Sequence, residues 1–280
     1  MKQFMNPKVK SIGAILGFAS LLPMAAIAGP MADSGAVIEP ISEPEIGSAF
    51  SGTLSLDANT HFISYGADVW GGGSKWDSVL FNPSLSIDVD LGGGFTFNMG
   101  TWWDVNDQAV SSIGGQIQEV DIWAGVSYAT GIFSVGLTYQ QWIYAGQTEE
   151  IVDLSFGLDT FLSPSLTIHG RTDAGASGGK TGAVGVLGVS HSVSAGPVGI
   201  DFPVSVAFAS DGFHAGGGSA GYAFASAGVQ ASMPLSFISA AYGDWALNAG
   251  ITYYNTSTSA IPGNPTDNFV TGNLGVSISF

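Results

Sequence analysis

The C-terminal run Asn268-Phe-Val-Thr-Gly-Asn-Leu-Gly-Val-Ser-Ile-Ser-Phe280 alternates in chemistry with a period of two. Val270, Leu274, Val276, Ile278 and Phe280 share one parity, with Gly272 filling the gap, and Thr271, Asn273, Gly275, Ser277 and Ser279 share the other. Successive side chains of a strand point to opposite faces, so this segment reads as a strand with one greasy face and one polar face. The same pattern recurs upstream. Residues 151–159 set Val152, Leu154, Phe156 and Leu158 against Asp153, Ser155, Gly157 and Asp159. Residues 132–140 set Phe133, Val135, Leu137 and Tyr139 against Ser134, Gly136, Thr138 and Gln140, and residues 84–91 set Leu85, Ile87, Val89 and Leu91 against Ser84, Ser86, Asp88 and Asp90.

A soluble sandwich also alternates, so composition has to separate the two cases. The 280 residues are 45% hydrophobic and only 10% charged, with a mean hydropathy of +0.32. A soluble domain is about 25% charged. The polar faces here carry Ser, Thr, Gly, Asn and Asp in place of the Lys and Glu of a solvated sheet. No run after residue 30 approaches the apolar length that a membrane helix needs, so spanning helices are excluded. Aromatic residues gather near the ends of the apolar faces: Phe95, Tyr128, Phe133, Trp245 and Phe280 at one level, Trp103, Tyr139, Trp142 and Tyr253 near the other. Two such girdles mark a membrane barrel. The expected fold is all-β, a transmembrane antiparallel up-and-down β-barrel.

Twelve candidate strands follow, at 50–66, 79–91, 94–106, 117–128, 132–144, 149–160, 164–173, 182–194, 199–210, 220–233, 244–256 and 268–280. Tight turns at Gly92-Gly93-Gly94, Thr130-Gly131, Leu162-Ser163-Pro164 and Ala195-Gly196-Pro197 alternate with longer links at 67–78, 107–116, 174–181, 211–219 and 257–267. Short periplasmic turns, longer outer loops and periplasmic termini are the expected asymmetry. The stretch 230–245, with Met233-Pro234-Leu235, is a long turn in a twelve-strand barrel or an extra hairpin in a fourteen-strand one. At the other end, Lys2, Lys8 and Lys10 precede an apolar run from Ile12 through Leu22 and the small residues Ala26-Ile27-Ala28. That is the build of a secretory signal peptide over residues 1–28, with cleavage expected after Ala28 or, alternatively, Ala26. Residues 29–47, with Pro30, Pro40, Pro44, Glu39, Glu43 and Glu45, read as an acidic periplasmic leader, leaving 48–280 for the barrel.

Charge and residue content exclude several functions. With no Cys, disulfide scaffolds, thiolate metal sites and Cys nucleophiles are out. Six basic residues against 22 acids argue against nucleic acid, and loss of the signal peptide leaves only Lys75, Arg171 and Lys180. The acids Asp57, Asp88, Asp90, Asp104, Glu119, Asp121, Asp153, Asp159 and Asp201 all fall on polar parity, as do His61, His169, Arg171 and Trp102. In a barrel that parity lines the lumen, and carboxylates in a low-dielectric wall concentrate cations. Asp104, Asp159 and Asp201 sit near strand ends, where the alternative to lining the lumen is to solvate a rim or meet divalent cations among headgroups. Trp102 either stacks on a solute ring or packs in the wall. His61 and His169 with nearby Ser and Asp resemble parts of a hydrolytic relay, but lumen lining is the simpler role. His191 falls on apolar parity at a rim, and His214 in a Gly-rich loop. The four His have no metal-ligand spacing, and no metal or other cofactor is expected. Gly71-Gly72-Gly73 and Gly216-Gly217-Gly218 lack the strand-then-helix context of a phosphate loop.

Residues 48–280 resemble outer-membrane porins of Gram-negative bacteria of the TorF type. The resemblance rests on His61-Phe62-Ile63-Ser64-Tyr65-Gly66, on Gly100-Thr101-Trp102-Trp103 followed by Glu119-Val120-Asp121, and on Pro234-Leu235-Ser236-Phe237 before Tyr242-Gly243-Asp244-Trp245. Tyr65 stands where family members often carry Arg. The resemblance implies a pore and names no solute. The expected function is a non-enzymatic outer-membrane channel for passive diffusion of small hydrophilic solutes, with cations preferred. The alternatives are a plugged structural or adhesive barrel and a barrel-embedded lipid-modifying enzyme. Expected partners are outer-membrane lipid and lipopolysaccharide, the diffusing solutes or cations, and the barrel-assembly machinery through the last strand ending on Phe280.

Overall fold

The computed structural model describes residues 49–71 and 78–280. The expected signal peptide and acidic leader lie outside the described residues. Within them, the long strands are β1 (Phe50–Asn59), β4 (Leu80–Gly92), β5 (Phe95–Val105), β6 (Ile117–Thr130), β7 (Phe133–Tyr144), β8 (Gln147–Leu158), β9 (Ser165–Asp173), β10 (Gly182–Ala195), β11 (Val198–Ala209), β12 (Gly221–Pro234), β13 (Asp244–Thr256) and β14 (Asn268–Ser279). Two short strands, β2 (Ile63–Ser64) and β3 (Ala67–Asp68), form a separate hairpin between β1 and β4.

The twelve long strands make one closed antiparallel barrel. β1 pairs with β14 on one side (Leu56 opposite Val276) and with β4 on the other (Leu54 opposite Leu85), which closes the cylinder. The twelve-strand reading holds and the fourteen-strand alternative falls at 235–243. There the chain leaves β12 at Pro234, makes one 3-10 turn over Ala240–Tyr242 capped by the Ser239 side chain, and re-enters the wall at Asp244.

Burial follows the alternation. Ser55, Asp57 and Asn59 on β1 are buried while Leu56 between them is exposed, and Gln140 and Trp142 on β7 are buried while Leu137 and Tyr139 are exposed. The polar parity therefore faces the interior and the apolar parity the outside. An exposed belt of Leu56, Leu137, Leu154, Val204, Ile251 and Leu274 encircles the barrel. So much exposed apolar surface is stable against hydrocarbon and unstable against water. Near the turn end, Phe95, Phe133 and Phe280 are exposed, and near the loop end Trp103, Tyr139 and Tyr253. Trp142, expected in the second girdle, is a correction. It shares the parity of Thr138 and Gln140, it is 2% exposed, and its ring points inward.

The first strand is a second correction. The sequence pattern runs it to residue 66, but it ends at Asn59, and Thr60 makes the last ladder contact, its N–H donating to the Gly272 carbonyl (2.9 Å). From His61 the chain turns into the bore as the β2–β3 hairpin, whose two-residue tip is Tyr65-Gly66. Both tip residues have positive φ, +49° and +85°, as a tight hairpin matched to strand twist requires.

Replacing outward Leu137 with Arg is expected to destabilise the barrel by about 2–4 kcal/mol in equilibrium unfolding from lipid vesicles, whereas Arg at inward Ser86 is expected to cost far less.

Candidate functional site: the lumen and its inserted hairpin

At the loop end, the bore is crossed by the β2–β3 hairpin. Phe62 lies on the Trp102 ring of β5 (centroids 4.9 Å apart). Tyr65 stacks on Trp142 of β7 (5.4 Å), meets His169 of β9 (4.8 Å) and takes the Phe213 ring edge-on (5.2 Å). Gly66 lies so close to the Phe224 ring of β12 that a Cβ there would overlap it. Such ring pairs contribute about 0.5–1.5 kcal/mol each beyond their area. Together they hold Tyr65, a non-glycine residue, in a left-handed conformation that costs about 1–3 kcal/mol.

Hydrogen bonds pin the same hairpin. Asn264, in the loop between β13 and β14, accepts from the Asp68 N–H through Oδ1 (2.8 Å) and donates from Nδ2 to the Gly66 carbonyl (2.9 Å). The Trp70 Nε1–H donates to Asp104 Oδ2 (2.9 Å). Around the hairpin, Ile151, Val184, Val186, Ala207, Phe213, Tyr254, Ala260 and Ile261 are buried in one cluster. Inward positions at Ile151 on β8 and at Val184, Val186, Ala207, Phe224 and Tyr254 on β10–β13 are thus apolar near the loop end, where the sequence pattern implied small polar groups. The reason is the contact they make: they face loop side chains instead of water. Deeper toward the turn end the lining is polar and small, as in the Ser205–Ser226 hydroxyl pair (2.7 Å) and the Asn248 amide donating to Ser277 (2.9 Å).

The acids gather in the loop half. Asp104 is fully buried and satisfied: Asn82 Nδ2 donates to its Oδ1 (3.0 Å), and Asn59 Nδ2 donates in turn to Asn82 Oδ1 (2.8 Å). Asp153 accepts from Gln140 Nε2 and contacts His169 Nδ1 (2.7 Å). Glu149 pairs with Arg171 Nε and accepts the Tyr144 hydroxyl proton. The Arg171 guanidinium sits 3.7 Å over the Phe213 ring and donates to the Phe213 and Lys180 carbonyls. Glu119 and Asp121 are buried on β6, where Glu119 pairs in register with Asp104 and Asp121 with Trp102. Asp57 is buried on β1, its carboxylate lying across Gly275 of β14.

Other residues expected in the lining take different positions. Asp88 and Asp201 face inward toward the turn end and are half-buried, Asp201 accepting from Ser192 Oγ. Asp90 is exposed at the end of β4 and accepts from the Gly92 N–H (2.8 Å), so it holds a turn. Asp159 lies beyond β8, exposed in a turn, at the rim and not in the bore. His61 stands at the start of the inserted loop, half-buried with its ring stacked near Phe269 (6.0 Å). His169 Nε2 has no hydrogen-bond partner among the described residues, so the Asp153–His169 pair has no third member there. Glu149, Gln140, Trp142 and Tyr65 are the site residues that sequence reasoning missed. The first three stand on the polar parity of their strands, a usable signal; for Tyr65 the signal is only the following glycine, outweighed because residues 60–64 read as a continuing strand.

Two outcomes follow from these contacts. Replacing Asn264 with Ala removes both hairpin hydrogen bonds, so exchange protection of the Asp68 amide is expected to fall by about 1–3 kcal/mol in hydrogen-exchange measurements. His214 sits buried in the loop between β11 and β12, where burial, reinforced by the Arg171 guanidinium, pushes its pKa down to about 4. The neutral ring then stabilises the folded loop above about pH 6.5, and that contribution is lost as pH falls toward 4. An NMR titration of His214 is expected to show a midpoint near 4.

No family model and no curated protein matches the chain. Among solved structures it is similar to the KdgM porin, with a TM-score of 0.48 and 12% identity over 81% of this chain and 99% of that one. It is also similar to the KdgM porin in complex with disordered oligogalacturonate (TM-score 0.46, 10% identity, 82% and 99% covered). A third similar structure is the translocator domain of autotransporter NalP from Neisseria meningitidis (TM-score 0.42, 14% identity, 85% and 90% covered). The functional reading rests on this chain's own lumen.

Proposed function

We propose that the protein is an outer-membrane channel of a Gram-negative bacterium that passes small hydrophilic solutes passively, prefers cations, and is narrowed at its mouth by the first loop. One observation carries the reading. Asp57, Asp104, Glu119, Asp121, Glu149 and Asp153 all face one bore, and among the described residues Arg171 is the Lys or Arg buried with them. In a low-dielectric wall, unbalanced carboxylates attract cations and repel anions over several ångströms. Closure supports the membrane setting, because every strand of the wall has a partner on both sides and leaves no open edge to hydrocarbon. A secretory leader and the TorF-type resemblance agree with that setting. Lipid, lipopolysaccharide and the barrel-assembly machinery are the partners this reading brings.

A plugged structural or adhesive barrel is the second reading, and the hairpin favours it. Tyr65 and Trp142, whose rings stack across the mouth, are 3% and 2% exposed. Solute flux separates the two. In planar bilayers under a KCl gradient, the channel reading expects a cation-selective reversal potential. The combined variant Asp104→Asn, Glu119→Gln, Asp121→Asn is expected to move that potential toward zero. Anion selectivity, or liposomes that fail to swell with any sugar or amino acid, contradicts the channel.

A further inference from the structure

Arg171 shows how this lumen holds a cation: one carboxylate, Glu149, engages the guanidinium while an aromatic face, that of Phe213, lies 3.7 Å away. Two strands further around the wall, on β6 as against β8, the same elements recur without a Lys or Arg among the described residues. Asp121 of β6 pairs in register with Trp102 of β5 on one side and with Trp142 of β7 on the other, so a carboxylate stands between two indoles. Glu119, two residues away on the same strand, faces the same interior. Asp121 is 4% exposed; its carboxyl shares a hydrogen bond with that of Glu119, and its Oδ1 is left without a partner. A buried carboxylate oxygen left without a donor is costly unless a cation or donor arrives. Over each indole lies one hairpin ring, Phe62 on Trp102 and Tyr65 on Trp142.

We propose that Asp121, Glu119, Trp102 and Trp142 form a binding site for an organic cation, an alkylammonium, which the hairpin covers with Phe62 and Tyr65 until solute displaces it. An ammonium with carbon substituents fits better than a bare metal ion, because the indoles offer ring faces where a metal needs oxygen ligands. Among the described residues no group of His, Asp or Glu is spaced to hold a metal. The site deepens the channel reading, on which it rests, by naming the class of solute that the acidic bore admits.

Choline is the probe, and its uncharged carbon isostere, 3,3-dimethylbutan-1-ol, the control. Titrated into the full chain in detergent, with calorimetry and tryptophan fluorescence as readouts, choline is expected to bind and the isostere not. Asp121→Asn keeps the shape and removes the charge, and binding is expected to weaken at least about tenfold. Tyr65→Ala uncovers the Trp142 face, and binding is expected to tighten about two- to tenfold. Circular dichroism melts establish that each variant is folded, and the Tyr65 variant gains affinity, which a misfolded protein does not. Equal binding of choline and its isostere, or wild-type affinity in Asp121→Asn, overturns the site. Cation-selective conductance without this choline pattern overturns the site alone. The choline pattern without any conductance overturns the channel reading and leaves the site standing.

Discussion

Every strand of the wall has two neighbours, and the pairing of β1 with β14 as well as β4 makes that so. Without that closure two edges of free N–H and C=O groups would face the surroundings, which hydrocarbon does not tolerate. Closure sorts the side chains as well. The period of two sends one parity to the outside belt and the other to an interior of limited width. Twelve strands enclose more room than the eight that side chains alone fill, and less than the wide bore of sixteen. The extra volume is taken up at the loop end by a segment of the chain's own first link.

That arrangement concentrates unfavourable charge and then relieves part of it. Asp104, Asp153 and Glu149 would each be costly in the interior, but each is met by donors: Asn82 and Trp70, Gln140 and His169, Tyr144 and Arg171. Side chains that accept and donate in chains, such as Asn59 to Asn82 to Asp104, polarise one another and fix rotamers. Glu119 and Asp121 stand at the edge of this relief, beside aromatic rings and not beside a guanidinium. The interior is therefore electrostatically uneven around its circumference, with the buried acids on β1, β5, β6 and β8 and an apolar lining on much of the loop half of β10–β13.

Much of this is legible in the sequence, and the failures have definite causes. Strict parity places Asp57, Asp121, Asp153, His169 and Arg171 on the inner face, and there they are. An aromatic ring near a strand end points to the outer girdle for Trp142; parity alone, counted from Gln140, turns it inward. Asp159 keeps the right parity but lies past the last residue of its strand, where alternation no longer means a face. The hairpin was hidden for a different reason. Residues 60–64 continue the strand-like composition of β1, and only the pair Tyr65-Gly66 carries a turn signal. What diverts the chain inward is a set of rings on β5, β7, β9 and β12, contacts far apart in sequence that no local pattern records. Those same contacts make inward Ile151, Val184 and Val186 apolar on a polar parity.

Because the hairpin touches β5, β7, β9, β12 and, through Asn264, the final link, its seat is complete only when the chain as far as that link has taken its place. Docking therefore requires the strands from β5 to β12 and the final link to be in place, and the segment stays unseated until then. The same geometry lets the segment leave again without unzipping any strand pair of the cylinder. A part seated from inside and bonded to the wall only through side chains and loop contacts leaves the cylinder standing whether it is in place or not.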